Sequence, residues 1–127
     1  MNQFHKHYTL EEARALLPKL RVLLATMHEN KATLEEAEGA LEKELSRTGG
    51  DLGGVYPVQM LSAMAALRDD MMKIAAMGIQ VKDLDRGLVD FPSIRDGQEV
   101  FLCWELEEDD IEFWHDIESG YAGRERL

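Results

Sequence analysis

Apolar residues recur at heptad spacing along the first third of the chain. Leu10, Leu17, Leu24, Lys31, Glu38 and Leu45 form one line, and Ala13, Leu20, Met27, Leu34 and Leu41 form the other. The pattern predicts a long helix over residues 10–46 whose seam packs against a second helix. Thr9-Leu10-Glu11-Glu12 has the spacing of a capping box, which sets the start near Leu10. Pro18 has no N–H to give to the Arg14 carbonyl and is expected to bend this helix, and Gly39 weakens it. Lys31 and Glu38 are polar at seam positions, so the distal part, residues 30–46, is expected to project into solvent or to pair with a second chain. Residues 47–56 hold Gly49, Gly50, Gly53 and Gly54 without an apolar period, the composition of a connection. Pro57 suits the first turn of a second helix over 57–77. There Met60, Met64, Leu67, Met71 and Ile74 alternate four- and three-residue steps, and Gly78 is placed as the C-terminal cap. The two helices make a long antiparallel helical hairpin.

After Gly78 the period shortens to two. Residues 79–84, 88–94 and 99–106 read as a three-stranded antiparallel meander, with turn signals at Asp85-Arg86-Gly87 and Asp96-Gly97. Asp109 and Asp110 are expected to open a short C-terminal helix over 109–118, with Ile111, Trp114 and Ile117 on its apolar face. Helices followed by strands, without βαβ alternation, predict an α+β fold in a single domain spanning 1–127.

The turns also fix which residues face each other. A two-residue type I′ turn at Asp96-Gly97 sets Arg95 opposite Gln98, Phe91 opposite Leu102, Asp90 opposite Cys103 and Val89 opposite Trp104. A matching turn at Arg86-Gly87 sets Asp83 opposite Asp90. Leu84, Val89, Phe91, Leu102 and Trp104 then share the core face, and Asp83, Asp90 and Cys103, flanked by Val81, Pro92 and Phe101, share the other. Two facing aspartates need a cation, a shared proton or an arginine such as Arg124 or Arg126, unless a longer loop shifts the register. A divalent metal held by Asp83 and Asp90, with Glu112 or His115 supplied from the last helix, meets that need. Glu112 and His115 have the Glu-x-x-His spacing that shares one helix face. Cys103, Trp104 and Arg124 are further candidates for such a site. Nucleophilic catalysis by Cys103 with His115 as base is disfavoured, because an acidic neighbourhood raises a thiol pKa. His5 and His7 are two apart near the N-terminus and read as unliganded, and His28 reads as a helix-surface residue.

Composition narrows the function classes. The 127 residues are 45% hydrophobic and 31% charged, enough for one core and too short for two. No apolar run approaches the length of a membrane span and residues 1–12 lack a signal sequence, so a cytoplasmic location is expected. A single cysteine allows neither an internal disulfide nor a multi-thiolate zinc site. The formal charge of -11 argues against nucleic acid. Nine carboxylates and no Lys or Arg lie between Glu99 and Glu118. This predicts a solvated acidic C-terminal face, with a basic protein partner or a bound cation as the alternatives. Signatures of dinucleotide sites, Walker loops, zinc proteases and nucleophile elbows are absent from the sequence.

The N-terminal Phe4 with Tyr8-Thr9-Leu10-Glu11-Glu12-Ala13 and Leu16-Leu17-Pro18, and the C-terminal Gly78-Ile79, Lys82-Asp83, Gly87-Leu88-Val89-Asp90-Phe91-Pro92, Leu102-Cys103-Trp104, Trp114-His115, Gly120 and Gly123-Arg124, together resemble the bacterial family known as domain of unknown function 2203. The resemblance covers almost the whole chain. It implies a small cytoplasmic prokaryotic protein and carries over no catalytic residue. Two function classes follow from the residues themselves. One is a non-enzymatic, homodimeric interaction module with an acidic C-terminal face, favoured by the heptad. The alternative is a metal- or small-ligand-binding domain, or an enzyme, built on a carboxylate and histidine site on the sheet.

Overall fold

The computed structural model describes residues 2–48 and 55–127. Thr9 and Glu12 cap the first helix reciprocally: the Thr9 amide donates to Glu12 Oε1 at 2.9 Å and the Glu12 amide to Thr9 Oγ1 at 3.1 Å. The Thr9 amide also holds the Glu12 carboxyl below its ordinary value. Helix α1 runs from Leu10 to Thr48, continuing through Pro18, and α2 from Val55 to Ala76. The core of the glycine-rich connection expected over 47–56 lies outside the described residues.

Ala13, Leu17, Leu20, Leu24 and Met27 of α1 are buried with Ile74 and Ile79. An untwisted helix drifts against a strict heptad, so beyond Met27 it is Ala37, not Glu38, that is buried, as is Ala63 of α2. Lys31 leaves the seam instead and reaches Asp85 Oδ1 at 2.6 Å. Gly78 ends α2 at φ 77°, where its amide donates to the Ala75 carbonyl at 2.9 Å.

Strands β1 (Gln80–Asp83), β2 (Leu88–Arg95), β3 (Gln98–Trp104), β4 (Phe113–Asp116) and β5 (Glu125–Arg126) form one antiparallel sheet in chain order. The β2–β3 hairpin turns on Asp96 (φ 52°) and Gly97 (φ 79°), the two positive φ angles of a type I′ turn. Its register sets Asp90 opposite Cys103, Phe91 opposite Leu102 and Val89 opposite Trp104. Val89, Phe91, Leu102 and Trp104 pack against the helices, as the alternation predicts.

Two sequence expectations are corrected. The first hairpin is not a two-residue turn: the register shifts between Val81 and Asp83, which leaves Asp83 opposite Leu88 and Gln80 opposite Asp90. Val81 consequently faces the core, opposite Val89. The cause is a longer loop in which the Asp83 carboxylate accepts from the Arg86 amide at 3.2 Å and the Gly87 amide donates to the Leu84 carbonyl at 3.1 Å.

The second correction concerns residues 109–118, which hold strand β4 rather than a helix, so the meander has five strands instead of three. Arg21 donates to the carbonyls of Leu106, Glu108 and Asp109, and Trp104 Nε1 donates to Glu108 O at 2.9 Å. These bonds hold the preceding loop against α1. Phe113, Trp114 and His115 then run along the open edge of β3, where strand pairing satisfies backbone groups that a helix would leave bare.

The acidic stretch is also in part engaged from within. Arg14 pairs with Asp110, Arg86 with Glu105, Arg124 with Glu108, and Arg126 approaches Glu112. Glu99 accepts from His7 and from the amides of Gln3 and Phe4. Glu107, Asp109, Asp116 and Glu118 remain exposed. No helix among the described residues is long and apolar enough to cross a membrane.

Candidate metal centre

The face of the sheet turned away from the helices carries three potential metal donors. Asp90 of β2, Cys103 of β3 and His115 of β4 come from three adjacent strands, and all three are buried, at 2%, 1% and 2% exposure. Asp90 and Cys103 are directly opposed. His115 is opposite Phe101, one pleat along from Cys103, so its ring reaches across β3 toward Asp90. Nε2 lies 3.1 Å from both Asp90 carboxylate oxygens, and one potential ligand atom from each of the three residues lies within 4.8 Å of the others.

Proton positions around the imidazole are constrained. Nδ1 is 2.7 Å from the Asp116 carbonyl, which can only accept, so Nδ1 carries a proton and donates it. Nε2 then meets the carboxylate either through a second proton or through a cation shared between them. Burial, with the Asp90 charge adding to it, pushes the Cys103 thiol up to about 12, and the positive charge of Arg124 only partly opposes this. Such a thiol is a poor free nucleophile and becomes a strong donor only when a metal displaces its proton.

The three side chains line a cavity of about 310 Å³. Leu88, Phe101, Ile117 and Tyr121 supply its apolar walls, and Lys82 and Glu118 its charges. Phe101 is sandwiched in a line of rings, with Phe4 at 5.3 Å and His115 at 5.4 Å between centroids. The C-terminal turn beside the cavity is anchored by Arg124. Its guanidinium lies 4.0 Å from the Phe113 ring and 4.6 Å from that of Tyr121, and donates to both Glu108 oxygens at 2.7 Å.

Of the residues singled out from sequence, the structure brings together Asp90, His115 and Cys103, with Arg124 alongside. Asp83 is displaced by the register shift and caps its own loop. Glu112, three residues from His115, is on the opposite pleat because the segment is a strand, and it is exposed. Trp104 faces the core, under the Arg21 guanidinium at 5.0 Å. Phe101 flanks the site as the alternation predicts, whereas Lys82 and Tyr121 were not read as lining it. The signal for His115 lay in its neighbours, the β-favouring pair Phe113 and Trp114 that directly precedes it.

Residues 6–127 match the family described as Uncharacterized conserved protein (DUF2203). No curated protein and no solved structure matches the chain.

Proposed function

The chain belongs to the family Uncharacterized conserved protein (DUF2203), and from its own geometry we propose that it is a metal-binding domain whose centre is Asp90, Cys103 and His115. The observation that carries this reading is the convergence of three buried, chemically different donors within 4.8 Å. A thiolate, an imidazole and one carboxylate suit a borderline-soft divalent ion such as Zn²⁺ or Co²⁺, whereas Mg²⁺ and Ca²⁺ favour more oxygen ligands. The Asp116 carbonyl fixes the His115 tautomer with Nε2 toward the ion, the usual outer partner of a metal-bound histidine. Three protein ligands leave a fourth position open.

The test is cobalt titration of protein prepared without a histidine tag. One equivalent of Co²⁺ should produce a thiolate-to-cobalt charge-transfer band that zinc displaces and that Cys103→Ser lacks. Absence of that band in the wild type would remove the reading.

A second reading, the homodimeric interaction module, is supported by a different surface from the one the heptad suggested. Of the distal seam leucines, Leu34 and Leu41 are half-buried and Leu45 alone is exposed. The outer side of α2, in contrast, shows Val58, Leu61, Met64, Met71 and Met72, with Leu61 66% exposed. Its inner side buries Ile74, Ala63 and even Asp70. An outer side this rich in apolar residues, interrupted by the exposed Arg68, fits a helix that a second partner covers. A second copy of the hairpin, packed α2 against α2, would complete a four-helix layer.

A further inference from the structure

Resting on the metal-centre reading, we infer that the open fourth position takes the carboxylate of a small organic acid whose apolar body fills the cavity. Asp90 and Cys103 as anionic ligands neutralise a divalent ion, so the position favours a weakly held, exchangeable donor over a strongly activated water. The cavity is lined by the three donors together with Phe101, Ile117 and Tyr121. Its volume of about 310 Å³ lies at the small end of ligand pockets. Lys82 supplies the countercharge: its Nζ stands over the Phe101 ring, 5.6 Å from the centroid, and makes no ion pair among the described residues. Glu118, exposed beyond the end of β4 and also lining the cavity, has the opposite sign and selects against a second negative charge on the ligand. The ligand is therefore a monocarboxylate with a compact aliphatic or aromatic body.

Sodium acetate and sodium benzoate titrated into the cobalt-loaded full chain test this. Both should shift the visible cobalt bands saturably, with benzoate binding roughly tenfold tighter because its ring is buried against Phe101 and Ile117. Lys82→Met should weaken benzoate about two- to fivefold, and Glu118→Gln should strengthen it, with cobalt affinity measured alongside. An acetylated dipeptide with a free C-terminus separates a small acid from a chain end, and binding as tight as benzoate would reassign the cavity to a chain end. Cobalt bands indifferent to both acids would overturn the inference and leave the metal centre standing. Equal affinities for acetate and benzoate, unchanged by Lys82→Met, would also overturn it, because the acid would then reach the ion without using the cavity. If the thiolate band never forms, the metal-centre reading fails first and the inference falls with it.

Discussion

His115 and Asp90 are each almost fully enclosed, so neither can lose its partner cheaply. In chelator-treated protein His115→Ala should lower stability by about 3–5 kcal/mol, the cost of leaving Asp90 buried without compensation. The double variant Asp90→Leu/His115→Leu should retain more stability than His115→Ala alone, since an apolar pair of similar volume removes the unpaired charge as well as its partner. Urea unfolding of the three proteins side by side checks this, and a His115→Ala midpoint equal to wild type would show that the pair does not hold the sheet face. At this scale the sequence was half legible. The opposition of Asp90 to Cys103 follows from Asp96-Gly97 alone, because two residues with positive φ leave one register. The third member was hidden, because the Glu112-x-x-His115 spacing reads one way on a helix and the other on a strand.

Among the elements, the loop before β2 and the N-terminal segment carry the clearest expectations. Gly87 sits at φ 63°, and a Cβ there would stand 2.7 Å from Leu106 Cβ. Gly87→Ala should destabilise by about 1–2 kcal/mol from the backbone alone, and by more if Leu106 cannot yield. A thermal melt measures it, with Gly97→Ala as the comparison, where a Cβ meets nothing within 4 Å and only the φ penalty applies. The N-terminal segment is held at Glu99. Burial pushes that carboxyl up, but the amides of Gln3 and Phe4 and the His7 ring outweigh it and leave its pKa below the ordinary 4.5. A carboxyl depressed on folding contributes stability above its unfolded value and loses it as pH falls through the folded one. Amide exchange at Gln3 and Phe4, corrected for intrinsic rates, should therefore show lost protection as pH falls below about 4.5. Glu99→Gln should show reduced protection already at neutral pH. Protection of these amides that does not change across that range would dissociate them from Glu99.

At the scale of the whole molecule, the outer side of α2 leaves Val58, Leu61, Met64, Met71 and Met72 exposed, and the proposed dimer is tested there. A second copy would bury Leu61 and Met72, so Leu61→Glu should convert a dimer into a monomer with little change in the fold, because the side chain is exposed in a single chain. Light scattering at micromolar concentration reads this, and a wild-type monomer would end the dimeric reading. Local signals sufficed for the capping box at Thr9, the Gly78 cap, the Asp96-Gly97 turn and the α+β order of elements, because each depends on neighbours in sequence and on a period of 3.6 or 2. The five-stranded sheet was decided elsewhere: Arg21, far along the chain, holds the carbonyls that precede β4, and the bare edge of β3 then recruits Phe113–Asp116 as a strand. The same holds for the acidic stretch, whose countercharges at Arg14, Arg86 and Arg124 come from three separate parts of the chain. Periodicity reports which face of an element is apolar. Only packing in three dimensions decides which edge needs a partner and which charges find one, and that placed His115 beside Asp90 while displacing Asp83.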